Sequence, residues 1–238
     1  MNLRAVIFDI YSTLLEVAAA PADAEKQWVR LWQQRFAAPP RLTLKEFAAQ
    51  CDRIIAREHA GARAAGVAHP EVFWPAVVGE VVPELTRLSA GAQDEFLFQQ
   101  ARLGHTVRLM SGAGDVLREL SQGKVVLGLA SNSQPYTLRE LDETLASAGL
   151  ARRIFTGALC FLSFEHGFGK PDRRVFGWIA SRLQGLEIPP GETLVVGDRL
   201  DNDVEPARAE GFLTWHLTPW PGDGVNAGTW EQLRSEIT

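Results

Sequence analysis

Four short polar stretches hold residue types that can do chemistry. The first is Asp9-Ile10-Tyr11-Ser12-Thr13-Leu14, directly behind the apolar run Ala5-Val6-Ile7-Phe8. A carboxylate at the end of a buried strand is desolvated unless a cation or hydrogen bonds compensate it. It becomes a nucleophile when a neighbour balances its charge; a turn or helix-cap acid is the ordinary alternative. The second is Ser131-Asn132, at the end of Lys124-Val-Val-Leu-Gly-Leu-Ala130. A Ser there can present its hydroxyl and nearby backbone N–H groups to an oxyanion, although Ser and Asn are also common helix caps.

The third stretch is Gly169-Lys170-Pro171-Asp172. The chain has only four lysines, at 26, 45, 124 and 170, against twenty arginines. Lys170 precedes a helix that Pro171 can initiate. An ammonium can balance a carboxylate or hold a phosphate, whereas most lone lysines are solvated surface groups. The fourth is Gly197-Asp198-Arg199-Leu200-Asp201-Asn202-Asp203, behind Thr193-Leu-Val-Val196. Several hard oxygen ligands in one short loop suit Mg²⁺. A helix start also attracts acids, but three exceed what capping needs.

The elements that must position these groups alternate. Residues 4–9, 124–130, 193–198 and 211–217 read as buried strands, and continuous apolar runs of this kind indicate a parallel sheet. Helical spacing appears in 114–120, 137–150 and 174–183. The spacing therefore predicts an α/β fold: a Rossmann-like parallel sheet with helices on both faces and its polar groups at the carboxyl ends of strands. Residues 16–106 break the rhythm. They offer amphipathic or apolar helical stretches around 28–36, 47–55, 70–82 and 92–103 and no buried-strand pattern. The expected organisation is a core of residues 1–15 and 107–238 with a helical insertion of 16–106. The tail from Pro219 to Gly228 reads as loop, followed by a short helix from Thr229.

Composition narrows the function. The 238 residues are 46% hydrophobic and 22% charged, with net charge −5. That composition belongs to a folded globular chain, and the acidic balance disfavours a nucleic-acid partner. The longest stretch without a charged residue, Val125–Leu138, contains Ser131, Asn132, Ser133 and Gln134, so no membrane span is expected. Two cysteines, Cys51 and Cys160, are too few for a disulfide framework, and the N-terminus lacks a signal-peptide pattern. The expected setting is cytoplasmic. The five histidines show no metal-ligand spacing and read as structural or surface residues, and a GxGxxG dinucleotide fingerprint is absent.

Taken in order (acid, Ser, Lys, acidic loop), the four stretches resemble the motifs of the haloacid dehalogenase-like (HAD) hydrolase superfamily, over residues 3–15 and 108–218. The insertion lies where that superfamily carries a helical cap. The resemblance implies a hydrolase acting on a small molecule through a covalent aspartyl intermediate. In it Asp9 matches the nucleophile and Thr13 its supporting hydroxyl, while Ser131 and Asn132 match the motif that binds the transferring group. Lys170 matches the lysine that orients nucleophile and substrate anion. Asp198 and Asp203 match the Mg²⁺ site, to which the carbonyl of Tyr11 and the carboxylate of Asp9 also contribute. The resemblance implies a monomer or a homodimer.

Tyr11 departs from the phosphatase pattern, which has a second Asp there as general acid and base. Asp-x-Tyr-x-Thr is similar to the first motif of the metal-independent L-2-haloacid dehalogenases, where the departing halide needs no proton. The loop from Gly197 to Asp203 is similar to the phosphatases. The resemblance thus implies Mg²⁺-dependent hydrolysis of a phosphorylated metabolite, with 2-haloacid dehalogenation and ligand binding without turnover as alternatives. A dehalogenase would also need a cap arginine for the substrate carboxylate, for which Arg30 and Arg35 are the candidates. Trp28, Trp32, Phe73 and Trp74 either line the cleft or fill the insertion's own core.

Overall fold

The computed structural model describes residues 3–222 and 226–237. Its centre is β1 (Ala5–Phe8), every residue of which is buried. The chain then forms β2 (Leu15–Ala18), α1 (Ala24–Phe36), α2 (Leu44–Ala64), α3 (Trp74–Val81), α4 (Ala90–Ala101) and β3 (Thr106–Leu109). It continues through α5 (Ala113–Gln122), β4 (Val126–Ser131), α6 (Pro135–Ser147), β5 (Phe155–Leu162) and the short α7 (Ser163–His166). Last come α8 (Arg174–Gln184), β6 (Thr193–Gly197), α9 (Glu205–Ala209), β7 (Leu213–Leu217), β8 (Ala227–Gly228) and α10 (Trp230–Ile237).

Six strands make one parallel sheet in the order β5-β4-β1-β6-β7-β8. Strand side chains alternate between faces, and β1 shows what that does here. Val6 and Phe8 join a cluster with Val116 and Leu117 of α5, Leu141 and Leu145 of α6, and Trp230 and Leu233 of α10. Ala5 and Ile7 join the opposite cluster, with Val175, Phe176, Ile179 and Leu183 of α8 and Ala207 of α9. One buried strand therefore nucleates both layers, and the expected α/β class with helices on both faces is what the fold shows.

The helices α1 to α4 bury a third cluster drawn wholly from residues 28–103, including Trp28, Trp32, Phe47, Cys51, Val78 and Phe96. Trp28 is its hub, with ring centroids 5.7 Å from Trp32, 4.9 Å from Phe47 and 6.0 Å from Phe96. Helix α2 begins where Thr43 and Glu46 cap each other: Glu46 N–H donates to Thr43 Oγ1, and Thr43 N–H to Glu46 Oε2. The chain enters and leaves these helices through β2 and β3, which pair antiparallel.

Several elements differ from the sequence reading. Strand β5 was not expected; Thr156 and Gly157 interrupt its apolar run, as an edge strand tolerates. Strands β2 and β3 have four residues each and stand partly exposed, too short to show a period. Pro171 does not start a helix: α8 begins at Arg174, whose N–H is accepted by the Asp172 carboxylate at 3.0 Å. Within the tail read as loop, Ala227 and Gly228 pair with β7, and residues 223–225 of that stretch lie outside the described residues.

Truncating a fully buried Trp leaves a cavity that neighbours fill only in part, at about 3–5 kcal/mol. Trp28→Ala is expected to lose that much stability, read as a fall in the urea midpoint. A loss below about 1 kcal/mol would show that the helices do not depend on this cluster.

Candidate active site

Asp9, Ser131 and Asp198 stand at the carboxyl ends of β1, β4 and β6, three adjacent strands. The chain runs from β1 to one side through β4 and β5, then returns to β6 on the other side of β1. Crevices at such reversals of strand order are where open α/β sheets bind ligands. Asp9 is anchored by its own N–H, which donates to the Val196 carbonyl at 2.9 Å.

Lys170 reaches this point from the loop after α7 and is only 5% exposed. Its Nζ donates to Asp9 Oδ1 at 2.6 Å and to Asp203 Oδ1 at 2.5 Å. The other Asp203 oxygen accepts the Arg199 N–H at 3.1 Å, so both of its oxygens are engaged. Among the described residues, Asp9 shows no hydrogen bond to Oδ2. Burial drives the Asp9 carboxyl up from 3.8 to about 6; Lys170 pulls it down, and Asp203 adds to the rise. Burial works against the Lys170 ammonium, but the charges of Asp9 and Asp203 outweigh it and hold its pKa above the usual lysine value.

Asp198 is half-buried, and its carboxyl is raised first by burial and then by the charge of Asp203. Thr13 Oγ1 donates to its Oδ1 at 3.4 Å, and His216 Nε2 lies 2.9 Å from its carbonyl oxygen. A carbonyl only accepts, so this contact fixes Nε2 as the protonated nitrogen of His216. Residues 200–204 form a single π-helical turn, which turns Asp203 back toward Lys170. The Asp203 side chain packs so tightly on Gly197 that a Cβ at 197 would collide with it. One carboxylate oxygen from each of Asp9, Asp198 and Asp203 lies within 4.8 Å of the others. This all-oxygen, anionic donor set fits Mg²⁺, which prefers hard oxygen ligands. Asp9 and Asp198 would hold the ion. Asp203 is committed to Lys170 and to the 199 backbone.

Ser131 is 1% exposed, and its Oγ has no hydrogen-bond partner among the described residues. A buried hydroxyl left without a partner costs stability and is available to a ligand oxygen. Asn132 is placed differently from its expected role. Its Oδ1 accepts the Lys170 N–H at 2.7 Å, and its Nδ2 donates to the Lys170 carbonyl at 2.8 Å. The Asn132 amide is thus spent on the backbone of Lys170. Gly169 is required beside it, because a Cβ there would strike Asn132 Oδ1.

The Tyr11 side chain is tied to α6. Its hydroxyl donates to Glu140 Oε2 at 2.6 Å and lies 2.9 Å from Thr137 Oγ1. Glu140 is buried, and His105 Nε2 lies 3.0 Å from its Oε1. Burial, then the charge of Glu140, hold the Tyr11 phenol far above its usual range. Sequence reasoning missed Glu140, His105 and His216. Only His216, at the carboxyl end of a recognised strand, carried a positional signal. The α2–α3 connection was also unforeseen as a wall of the site. Gly169 N–H donates to the His69 carbonyl and Glu71 N–H to the Gly167 carbonyl, each at 3.0 Å. Gln134 accepts the Trp74 N–H and donates to the Val72 carbonyl, both at 2.8 Å. The Lys170 loop is thereby held by the insertion as well as by Asn132. Trp28 and Trp32 lie in the insertion's core, and Phe73 stacks on Phe164. Arg35 lies 3.9 Å from Glu95, and Arg30 lines a cavity of about 460 Å³ that includes none of the strand-end residues.

A family model described as haloacid dehalogenase-like hydrolase matches residues 3–211. The chain is 36% identical over 95 residues to a phosphoserine phosphatase of Thermus thermophilus; the match covers 40% of this chain and 34% of that protein. The structure is similar to a 2-haloacid dehalogenase from Pseudomonas syringae, with TM-score 0.61 and 20% identity over 98% of this chain and 97% of that one. It is also similar to a HAD phosphatase from Thermococcus onnurineus, with TM-score 0.55 and 20% identity over 99% and 98% of the two chains. At these identities the solved structures share the fold.

Removing the Lys170 ammonium leaves two facing carboxylates without a counter-charge, a loss of about 3–5 kcal/mol for a buried pair. The folded-state pKa of Asp9, already raised, rises further in Lys170→Met. The folded variant then holds a proton that the unfolded chain releases, so its deficit grows as pH rises and shrinks as pH falls. Urea unfolding without metal is expected to show a larger deficit at about pH 8 than at about pH 5.5. A deficit independent of pH would contradict this electrostatic account.

Proposed function

We propose that this chain, which belongs to the haloacid dehalogenase-like hydrolases, is a Mg²⁺-dependent phosphohydrolase of small molecules that works through Asp9. The observation that carries this reading is a charge imbalance. Asp9, Asp198 and Asp203 bring three negative charges together, and Lys170 supplies one positive charge, which leaves two. A divalent cation would cancel the difference; bound there, it neutralises phosphate charge and polarises a phosphoryl oxygen. Phosphoserine phosphatase as the name of a similar protein agrees with this class of chemistry.

In this reading Lys170 holds Asp9 Oδ1, which orients Oδ2 toward the phosphorus. The Ser131 hydroxyl donates to an oxygen of the transferring group. Thr13 steadies Asp198, and Asn132 fixes the backbone from which Lys170 extends. Attack by Asp9 gives an aspartyl phosphate, which water then hydrolyses. The insertion, residues 16–106, serves as the cap over a core of 1–15 and 107–238. Two free thiols and the lack of a membrane-crossing helix among the described residues accord with a cytoplasmic enzyme.

Dehalogenation of a 2-haloacid is the second reading, favoured by Tyr11 in place of an acid. It lacks support from the cap arginines: Arg35 is near Glu95, and Arg30 faces a separate cavity. A panel of phosphomonoesters is expected to release phosphate with Mg²⁺ and none with excess EDTA, and Asp9→Asn to abolish the release. Turnover of L-2-chloropropionate in EDTA, with no phosphoester hydrolysed, would replace this reading by dehalogenation.

A further inference from the structure

When a phosphoryl group leaves an ester, an oxyanion stays behind. An acid that gives it a proton as the bond breaks contributes roughly 10²–10⁴-fold, and the contribution matters most for basic leaving groups. Among the described residues, the Tyr11 phenol and the carboxyl groups of Asp203, Asp198 and Glu71 each hold a hydrogen-bond partner, and Glu140 is the acceptor for Tyr11. Tyr11, two residues on, gives its one hydroxyl proton to Glu140 at 2.6 Å. To reach a substrate it would have to leave Glu140, which is buried, and Thr137. Glu140 is an acceptor in that bond, and its other oxygen faces His105 at 3.0 Å. Asp203 has both oxygens in use, on Lys170 and on Arg199 N–H. Asp198 accepts from Thr13 and belongs to the proposed cation site. Glu71, on the insertion side, accepts from Ser163 at 2.7 Å and from Gln134 at 3.1 Å.

Resting on the phosphohydrolase reading, we infer that this site takes activated phosphates: aryl, enol or acyl phosphates, whose leaving oxyanion departs without a proton from the protein. Asp9 Oδ2 forms the new bond to phosphorus as the bond to the leaving oxygen breaks with its electron pair on that oxygen. The anion takes a proton from solvent after release. Water then attacks phosphorus, the bond to Asp9 breaks, and the water proton goes to solvent as phosphate leaves. The aspartyl phosphate is itself an acyl phosphate with a weakly basic carboxylate leaving group, so this second step also proceeds without a strong acid.

The test is a leaving-group series. Substituted phenyl phosphates of similar size, with benzyl phosphate as a basic leaving group, are assayed with Mg²⁺ for wild type, Tyr11→Phe and Tyr11→Asp. Wild type is expected to show kcat/KM rising steeply as the leaving group becomes more acidic, with 4-nitrophenyl phosphate at least about 10²-fold above benzyl phosphate. Tyr11→Phe, which keeps the ring and removes the hydroxyl, is expected to keep that slope. Tyr11→Asp, judged only if its circular dichroism matches wild type, is expected to flatten it by raising the basic end. A flat wild-type series overturns the inference while leaving the phosphohydrolase reading standing. So does a Tyr11→Phe loss confined to the basic leaving groups, which would make the hydroxyl the acid. No hydrolysis even of 4-nitrophenyl phosphate overturns the phosphohydrolase reading and the inference with it.

Discussion

The arrangement depends on one buried ammonium between two carboxylates. Lys170 meets Asp9 at 2.6 Å and Asp203 at 2.5 Å, in a place where water does little to screen any of them. Such a trio persists only if its geometry is fixed. Asp9 is pinned by backbone pairing to β6, and Asp203 by the π-helical turn and the Arg199 N–H. The Lys170 backbone is held by the two-point amide of Asn132. The glycines at 169 and 197 follow from the same constraint, since each leaves room for the side chain that does the holding.

The helical insertion takes part in this constraint. Residues 69–74 are bonded to Gly167, Gly169 and Gln134, all at or near the loops that carry Lys170 and Ser131. A movement of the insertion that broke these bonds would also release one side of the Lys170 loop. Tyr11 is the other point at which two parts of the chain are tied. Its hydroxyl joins the turn after Asp9 to Thr137 and Glu140 on α6, and its ring meets His105, just before β3, edge-on at 5.8 Å.

Much of this was legible in the sequence, for a physical reason. A buried parallel strand reads as an unbroken apolar run, so β1, β4 and β6 announce themselves, and the polar residues that end them stand out by contrast. Asp9, Ser131 and Asp198 could be proposed because each ends such a run, Lys170 because it follows Gly169 and is one of four lysines, and Asp203 because it closes a loop of three acids. Strand β5 could not, because an edge strand tolerates Thr156 and Gly157. The role of Asn132 was not legible either: a polar residue beside Ser131 reads as a ligand contact, and only coordinates show its amide on the Lys170 backbone. Glu140 lies mid-helix among residues of ordinary helical spacing. Its burial and its bond to Tyr11 depend on a contact between residues 129 positions apart.

The central claim is that Asp9 carries the phosphoryl group. The direct measurement is to quench Mg²⁺-loaded enzyme during turnover of an aryl phosphate, reduce it with borohydride, and sequence the N-terminal peptide by mass spectrometry. An aspartyl phosphate is reduced to homoserine, so the account predicts homoserine at position 9 and unmodified Asp at 198 and 203. Unmodified Asp9 in enzyme that is releasing phosphate, or homoserine at 198 or 203, would contradict it.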